Sequence, residues 1–263
     1  MKTKIGIVGC LGRMGRFIVS ELRNCGNVEM SGGVAKSGNE KIGLDIGLAL
    51  NIGLEIGVKV TDSIFNLFKS SDVVIDFTNK ECLLQCLEVA YDLEKPLVSG
   101  TTGIDGIDLK EYSKKAPILW SANMSIGVNL LCKLVQDASK SLGQDYDVEI
   151  WEMHHSLKKD SPSGTAIALG EAAAEGLNVD FKINHYFNSD SNFRKKGSIG
   201  FAVSRGGGII GDHKVMFTNE GEQIELSHRG INRNIYAKGA IKAALWLAQK
   251  PAGLYSMKNV LEI

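Results

Sequence analysis

Residues 4–15 read KIGIVGCLGRMG, where an apolar run ends at the first of three glycines and a helix-forming segment follows. Gly9, Gly12 and Gly15 give the spacing G-x-x-G-x-x-G. Glycines here permit a tight turn and the close approach of a pyrophosphate, whose charge is met by backbone N–H groups at the positive end of the helix. The stretch therefore predicts a strand, a turn and a helix that bind a dinucleotide. The further predicted contact positions in this turn are Cys10, Arg13 and Met14.

Outward from this stretch, the first third of the chain alternates short apolar runs with amphipathic segments. That pattern is typical of a parallel sheet whose crossover helices cover both faces. The predicted strands are 4–9, 28–35, 72–78, 96–100 and 117–122. The predicted helices are Arg13 to Cys25, Asp62 to Phe68 with Asp62 as its cap, Lys80 to Leu93, and Asp108 to Lys114. The glycine-rich residues 37–57 are predicted to form a mobile loop.

From about Ser125 the pattern changes. A long helix, a strand at 147–153 and another helix are followed by the predicted strands 197–205, 207–218 and 222–229. Strands that follow one another without helices indicate an open antiparallel or mixed sheet, and hence a second domain. The sequence predicts an α/β fold with a Rossmann-type parallel-sheet domain at 1–125 and an α+β substrate domain at 126–232. A last helical segment could pack on either domain.

Composition excludes several classes of function. The 263 residues include 30 basic and 30 acidic side chains, so the overall charge does not indicate binding to nucleic acid or to an anionic membrane. No stretch holds eighteen uninterrupted apolar residues and no cleavable leader is recognisable, so we expect a cytoplasmic protein without a membrane span. The five cysteines form no C-x-x-C pair and are predicted to be reduced, mostly structural thiols.

Lys36 bears on which dinucleotide binds. The second predicted strand ends GGVAKSG, with Ala35 where an acidic residue would bond the adenosine ribose. Lys36 follows it and can donate to a 2′-phosphate, but cannot accept from a ribose hydroxyl. We therefore expect a preference for NADPH, with NADH possible. The alternative is a solvated lysine in a loop.

The richest polar segment is HHSLKKDSPSGTA at 154–166. His154 and His155 end a predicted strand, so their side chains should point in opposite directions. One imidazole near the cation of Lys158 suits proton transfer. Gly164 and Thr165, at a helix start, offer backbone N–H groups that would cradle a carboxylate. The plainer alternative is a loop with surface histidines that caps a helix.

A metal site is not predicted in this segment. A site built on the adjacent histidines needs two further ligands at suitable spacing. Neither His185 nor Asp160 completes a recognisable set. We therefore expect no metal.

The order of motifs along the chain resembles the 4-hydroxy-tetrahydrodipicolinate reductase family. The motifs are GCLGRMG, DFT, SGTTG, SANMSIGVN and EMHHSLKKDSPSGTA, and the last is the specific one. The resemblance implies reduction of a cyclic dicarboxylate, with a Rossmann domain completed by residues 233–263 and a homotetramer built through the second domain. The alternatives are another nicotinamide-dependent imine or amino-acid reductase, or a dinucleotide sensor without catalytic activity.

The resemblance also implies residue roles. His154 would be the proton donor, Lys158 a second catalytic residue and His155 a substrate contact, while Gly164 and Thr165 would hold a carboxylate. Two strand-end segments would lie around the nicotinamide; their residues are Gly100, Thr101, Thr102, Ser121, Ala122 and Met124. The chain departs from the family pattern at Ala35, where an acid is frequent, and at Met124, where an aromatic residue is frequent.

Overall fold

A computed structural model describes residues 2–181, 185–187, 194 and 196–263 of the protein. The chain divides into two compact units. The first contains Met1–Ser125 and Asn234–Glu262, and the second contains Ile126–Arg233. The last long helix therefore lies in the first unit.

The first unit is built on a seven-stranded sheet in which every pairing is parallel. Its strands run in the order β12-β6-β5-β4-β1-β2-β3. The central strands are apolar on both faces because helices cover both sides, and Ile5, Ile7 and Ile75 are fully buried. The strands are β1 (Thr3–Val8), β2 (Val28–Val34), β3 (Val60–Thr61), β4 (Val73–Asp76), β5 (Leu97–Ser99), β6 (Pro117–Trp120) and β12 (Gly253–Tyr255).

The helices of the first unit follow the predicted pattern with one change of cap. Helix α3 begins after Ser63, whose hydroxyl accepts from the N–H of Asn66, so the predicted cap at Asp62 is wrong by one residue. A serine hydroxyl satisfies a free N–H group of the first turn as well as a carboxylate would. The helices, in chain order, are α1 (Arg13–Leu22), α2 (Ile46–Ala49), α3 (Ile64–Ser70), α4 (Lys80–Leu93), α5 (Leu109–Tyr112), α8 (Asn234–Leu247) and α9 (Met257–Leu261).

Residues 37–57, predicted to be a loop, contain α2 and a local network of hydrogen bonds around Asp45. The Asp45 carboxylate accepts from the backbone N–H groups of Gly47, Ile56 and Gly57 at 2.7, 3.0 and 2.8 Å. These hydrogen bonds lower its pKa, the one from Ile56 most. A single acidic side chain thus organises the segment, which glycine content alone did not indicate.

The second unit contains a five-stranded mixed sheet in the order β11-β10-β7-β9-β8. Strands β8 and β9 run parallel to β7, whereas β10 and β11 are antiparallel neighbours. The mixed sheet was expected from the succession of strands. The elements are α6 (Ile126–Leu142), β7 (Asp147–His154), α7 (Gly164–Leu177), β8 (His185–Phe187), β9 (Ile199–Arg205), β10 (Gly211–Thr218) and β11 (Gln223–Gly230).

The alternation of side chains along β7 decides what is buried in this unit. Val148, Ile150, Glu152 and His154 face the buried side, where α6 and α7 pack, and the residues between them are half-buried. Glu152 and His154 therefore lie on the same buried face of β7 as the apolar residues Val148 and Ile150. Among the described residues, no helix is both long and apolar enough to cross a bilayer.

Candidate active site

The glycine turn after β1 has the geometry of a phosphate loop. Gly9 has a φ of 77°, and the N–H groups of Gly9 and Cys10 both donate to the carbonyl of Val34 at the end of β2. Gly12 is the N-cap of α1, without a side-chain cap. A Cβ at Gly15 would lie 2.2 Å from the carbonyl oxygen of Gly9. The turn packs backbone against backbone, and no side chain caps the start of α1. The first N–H groups of α1 can therefore donate hydrogen bonds to an anion.

We expect Gly12→Ala to weaken dinucleotide binding while the fold survives. Gly12 has a φ of −72°, and the nearest atom to a Cβ there would be the Gly9 oxygen at 3.1 Å. The added methyl group would occupy the place where the backbone must approach the pyrophosphate. Calorimetry should show a dissociation constant raised about tenfold or more, equivalent to about 1.4 kcal/mol.

The matched comparison is Gly15→Ala, where the 2.2 Å contact forces the turn itself to move. That variant should lose thermal stability as well as binding, because overpacking commonly costs about 1–3 kcal/mol. Gly12→Ala should melt within about 2 °C of the parent protein. Unchanged dinucleotide affinity in Gly12→Ala would contradict the assignment of this turn.

Polar side chains fix the strand-end turns beside this loop. The buried Asp76 carboxylate, at the end of β4, accepts hydroxyl hydrogen bonds from Thr78, Ser99 and Thr101 at 2.5, 2.8 and 2.7 Å. Burial raises its pKa, and the hydroxyl donors oppose that rise. The Trp120 indole donates to the carbonyl of Thr101 at 2.8 Å. Asp76 thus holds the turn after β5 against the end of β4, and Trp120 ties the same turn to the end of β6.

Two glycines allow the strand ends to approach one another. A Cβ on Gly9 would lie 2.8 Å from Cγ2 of Thr78, and one on Gly100 would lie 2.2 Å from the ring of Phe77. The carboxyl ends of β1, β4 and β5 are therefore adjacent. In open parallel sheets, ligands bind beyond the carboxyl ends of the strands. The structure brings together, in one unit, the glycine loop, the turn at 100–103 and Ser121, whose N–H donates to Ser99.

Lys36 and Met124 differ from one another in their exposure. Lys36 is exposed just beyond β2, and Ala35 before it is buried. Met124 is only 1% exposed, so its side chain packs in the core of the unit. A role for Met124 beside a nicotinamide stays a prediction.

In the second unit, the segment between β7 and α7 is anchored by one buried carboxylate. Glu152 is 1% exposed, and its Oε1 accepts from the N–H of Ser163 at 3.0 Å. The guanidinium of Arg205, from β9, donates to the same oxygen at 3.2 and 3.3 Å. Ser163 in turn caps α7, since its hydroxyl accepts from the N–H of Ala166 at 3.1 Å. The start of α7 is therefore tied to the end of β7.

His154 ends β7 on the buried face and contacts the other oxygen of that carboxylate. Its Nδ1 lies 3.4 Å from Oε2 of Glu152, and Nε2 of His213 from β10 lies 3.6 Å from the same atom. The two imidazole rings meet edge to face, with centroids 5.0 Å apart. A Cβ on Gly211 would lie 3.0 Å from Nε2 of His154, so glycine leaves the space for this ring.

The electrostatics keep His154 neutral when no anion is bound. Burial lowers its pKa to about 4; Glu152 opposes this shift, while His213, Lys158 and Arg205 add to it. Burial alone would raise the pKa of Glu152, yet its contacts with His213 and Ser163 hold it at about 2. The cluster therefore contains a fixed anion beside a neutral imidazole, surrounded by cations that favour the arrival of negative charge.

The residues that follow are more accessible. His155 is half-buried, whereas His154 is 7% exposed, as the predicted alternation requires. Lys158 donates from Nζ to the exposed carboxylate of Asp160 at 2.7 Å, a partner that a substrate carboxylate can replace. Gly164, the first residue of α7, is exposed, and a Cβ there would meet no atom of the described residues within 4 Å. The open helix start and the lysine thus suit an anion.

The sequence missed Glu152, His213, Arg205 and Gly211. For Glu152 a signal was present, because it stands two residues before His154 and so on the same face of the strand. His213 and Arg205 come from other strands, 61 and 53 residues away from Glu152, and only the pairing register places them beside it. No local pattern marks them.

The cluster also has the residue types of a metal site. Glu152, His154 and His213 offer three ligand atoms within 4.8 Å of one another, and Asp76, Cys82 and Cys86 form a second group of this kind. Arg205 already donates to Glu152, and its charge together with that of Lys158 disfavours a cation. Asp76 is occupied by three hydroxyl donors. We assign no metal to either group; the side chain of His185 lies outside the described residues.

Comparison with known proteins places this geometry in a family. Family models described as dihydrodipicolinate reductase match at the N-terminus, over residues 3–124, and at the C-terminus, over residues 127–261. A 4-hydroxy-tetrahydrodipicolinate reductase of Wolbachia pipientis subsp. Culex pipiens (strain wPip) is 59% identical, covering 99% of this chain and 100% of that protein. One from Anaplasma marginale (strain St. Maries) is 54% identical, covering 98% and 99%.

The fold is also found among solved structures. Dipicolinate-bound dihydrodipicolinate reductase from Paenisporosarcina sp. TG-14 superposes with a TM-score of 0.78 at 23% identity, covering 98% of this chain and 99% of that one. At this identity the likeness concerns the fold. It agrees with the predicted combination of a Rossmann-type sheet and a separate mixed sheet.

Proposed function

The chain belongs to the dihydrodipicolinate reductase family, and on that premise we propose that it catalyses the NAD(P)H-dependent reduction of 4-hydroxy-tetrahydrodipicolinate to tetrahydrodipicolinate. This is an oxidoreductase reaction of the route to diaminopimelate and lysine. The observation that supports it best is the segment from His154 to Thr165. Within it, a buried imidazole, a lysine and an open helix start occur together.

The glycine turn after β1 fits the phosphates of a nicotinamide dinucleotide, which supplies the hydride when bound. The chain's own residues then have three tasks. They bind two carboxylates, orient the ring and deliver a proton next to the carbon that accepts the hydride. The 4-hydroxyl group of the substrate leaves as water, and the hydride and the proton together reduce the dehydrated ring. We assign carboxylate binding to Lys158 and to the N–H groups of Gly164 and Thr165, with His155 as a further contact.

We assign proton delivery to His154. Its Nδ1 lies toward Glu152, which leaves Nε2 as the donating atom. A bound dianion favours the charged imidazole, so its pKa should rise from about 4 when substrate binds. His154 would thereby become protonated only in the complex with substrate, where the proton is used. Glu152 stays ionised throughout, because its pKa is about 2.

The test of the reaction is a coupled assay. A synthase generates the substrate in the cuvette from pyruvate and aspartate semialdehyde, and oxidation of NADPH or NADH is followed by absorbance. We expect oxidation that requires both the synthase and this protein. A sensor without catalytic activity would bind nucleotide but give no oxidation, and another imine reductase would ignore this substrate while reducing others.

The preference between cofactors is a finer proposal. We infer that NADPH binds better, because Lys36 follows Ala35 at the end of β2 and is exposed to meet a 2′-phosphate. Lys36→Gln should raise the KM for NADPH about tenfold, because one charge-assisted contact, partly screened by solvent, is lost. The KM for NADH should stay within about twofold of the parental value.

Lys69→Gln is the control for this change. Lys69 lies in the last turn of α3, just before β4 begins. It is therefore near the amino-terminal ends of the strands, away from the carboxyl ends where the cofactor is proposed to bind. It should change neither KM. Equal effects of Lys36→Gln on the two cofactors, or a parent protein that turns over NADH as well as NADPH, would contradict the preference.

The homotetramer is likewise a proposal, drawn from the resemblance. It is supported by the face of the mixed sheet opposite α6 and α7, where Trp151, Met153 and Met216 are half-buried. Apolar side chains on such a face suit burial against further copies of the chain. A single species of 28.4 kDa in sedimentation would contradict it.

A further inference from the structure

The side chain of Glu152 contacts both the start of α7 and the histidine pair His154 and His213. Its Oε1 accepts from the N–H of Ser163, at the start of α7, and its Oε2 faces the rings of His154 and His213. Resting on the proposed function, we propose that Glu152 is a positioning residue. It holds the proton on Nδ1 of His154 and stabilises the imidazolium, in competition with His213 for the same oxygen.

The geometry supports the orienting role. Nδ1 of His154 and Oε2 of Glu152 are both buried and, among the described residues, without a hydrogen-bond partner at the 3.4 Å that separates them. Two acceptor atoms would repel one another at this distance. A proton on Nδ1 converts the contact into a charge-assisted hydrogen bond, and these are commonly shorter, at about 2.7–2.9 Å. The pair is therefore arranged for a proton on Nδ1 of His154, which both the imidazolium and one neutral tautomer carry.

The competition follows from the position of His213. Its Nε2 lies 3.6 Å from the same Oε2 and 3.3 Å from the hydroxyl of Ser163. Two imidazoles beside one carboxylate oxygen cannot both be charged without repulsion, so a proton on His213 disfavours one on His154. His213 should thus limit the proton affinity that Glu152 gives to His154.

The other charged groups around His154 act in one direction. Lys158 from the following turn and Arg205 from β9 both disfavour a charged imidazole. Asp160 neutralises Lys158 only while the two are paired. Glu152 is an anion in contact with His154 and stabilises the charged imidazole. In the substrate complex, the carboxylates of the substrate add to this stabilisation.

The proposal predicts pH shifts of opposite sign for two substitutions. Glu152→Gln keeps an oxygen to accept from Ser163 but loses the charge, so the pKa of His154 in the substrate complex should fall. The decline of kcat with rising pH should then begin about one to three pH units lower. His213→Gln removes the competitor, so the same decline should begin at higher pH. In both, the KM measured on the acidic plateau should stay within about threefold.

The closing experiment records kcat against pH for the parent, Glu152→Gln and His213→Gln, with Glu171→Gln as control. Glu171 is exposed on α7, about two turns beyond Gly164, and its substitution should leave the profile unchanged. Imidazole NMR of the dipicolinate complex gives the pKa of His154 without turnover. It therefore remains informative if a variant is inactive.

Opposite shifts in the two variants, with matching imidazole pKa changes, support the assignment. Shifts of the same sign, or no shift, would overturn it, since a merely structural residue would lower kcat equally at every pH. A parent protein that binds dipicolinate but does not oxidise NADPH would sink the proposed function instead. The NMR shifts would still decide the role of Glu152.

Discussion

Replacing His154 with glutamine is expected to lower kcat by about 10²- to 10⁴-fold, the usual contribution of a positioned general acid. Glutamine can occupy the space between Glu152 and Gly211, but it cannot give up a proton. Because the carboxylates are assigned to other groups, substrate should still bind, and binding should lose only the attraction of the imidazolium at the end of β7. The KM at pH 7 should therefore rise by no more than about tenfold, much less than the fall in kcat.

The measurement is the synthase-coupled rate with saturating NADPH, together with dipicolinate affinity by calorimetry. Lys159→Gln is the matched control, since Lys159 is exposed in the same turn and is assigned no role. It should retain the parental rate. A His154→Gln variant with kcat within tenfold of the parent would show that the proton comes from elsewhere.

Replacing Lys158 with glutamine is expected to lower kcat/KM by about 10- to 150-fold, the effect of losing one charge-assisted hydrogen bond of 1.5–3 kcal/mol. The side chain is 19% exposed and so is not fully screened by solvent. Its ammonium is expected to exchange Asp160 for a substrate carboxylate. Much of the loss should fall on KM and on the affinity for dipicolinate, unlike the loss in His154→Gln.

Asp160→Asn is the informative partner for this change. The exposed Asp160 carboxylate competes with substrate for Lys158, and the asparagine variant frees the ammonium. Dipicolinate should therefore bind Asp160→Asn more tightly than the parent. Weaker binding by Asp160→Asn, or unchanged kcat/KM in Lys158→Gln, would contradict the assigned role of this lysine.

The features that the sequence predicted depend on neighbours in the chain. Gly9, Gly12 and Gly15 lie close together in the chain, between a strand and a helix. The spacing of the three glycines is therefore enough to predict the turn. The pair His154 and His155 ends a strand, and the alternation of that strand separated a buried ring from an accessible one. Long periodic segments such as α4 and α8 were recognised for the same reason.

The features that the sequence did not reveal depend on distant pairing or on too few residues. The contacts of Glu152 with His213 and Arg205 exist because β10 and β9 flank β7 in one register. Strands β3 and β12, of two and three residues, are too short for an alternating pattern. The order around Asp45 comes from one carboxylate that bonds N–H groups up to twelve residues away, and glycine content cannot report this.

Proton uptake on dipicolinate binding tests the central claim most directly, namely that the turn between β7 and α7 binds a dianion and thereby charges His154. Calorimetric titration at pH 6 to 7, in two buffers of different ionisation enthalpy, gives the number of protons taken up. Since the pKa of His154 is about 4 without ligand, a pKa raised above 7 by the dianion requires uptake approaching one proton at pH 6 and of at least about half a proton at pH 7. Affinity should then fall as the pH rises, by up to about tenfold per unit. Tight binding with no proton uptake, or no binding at all, would contradict the account.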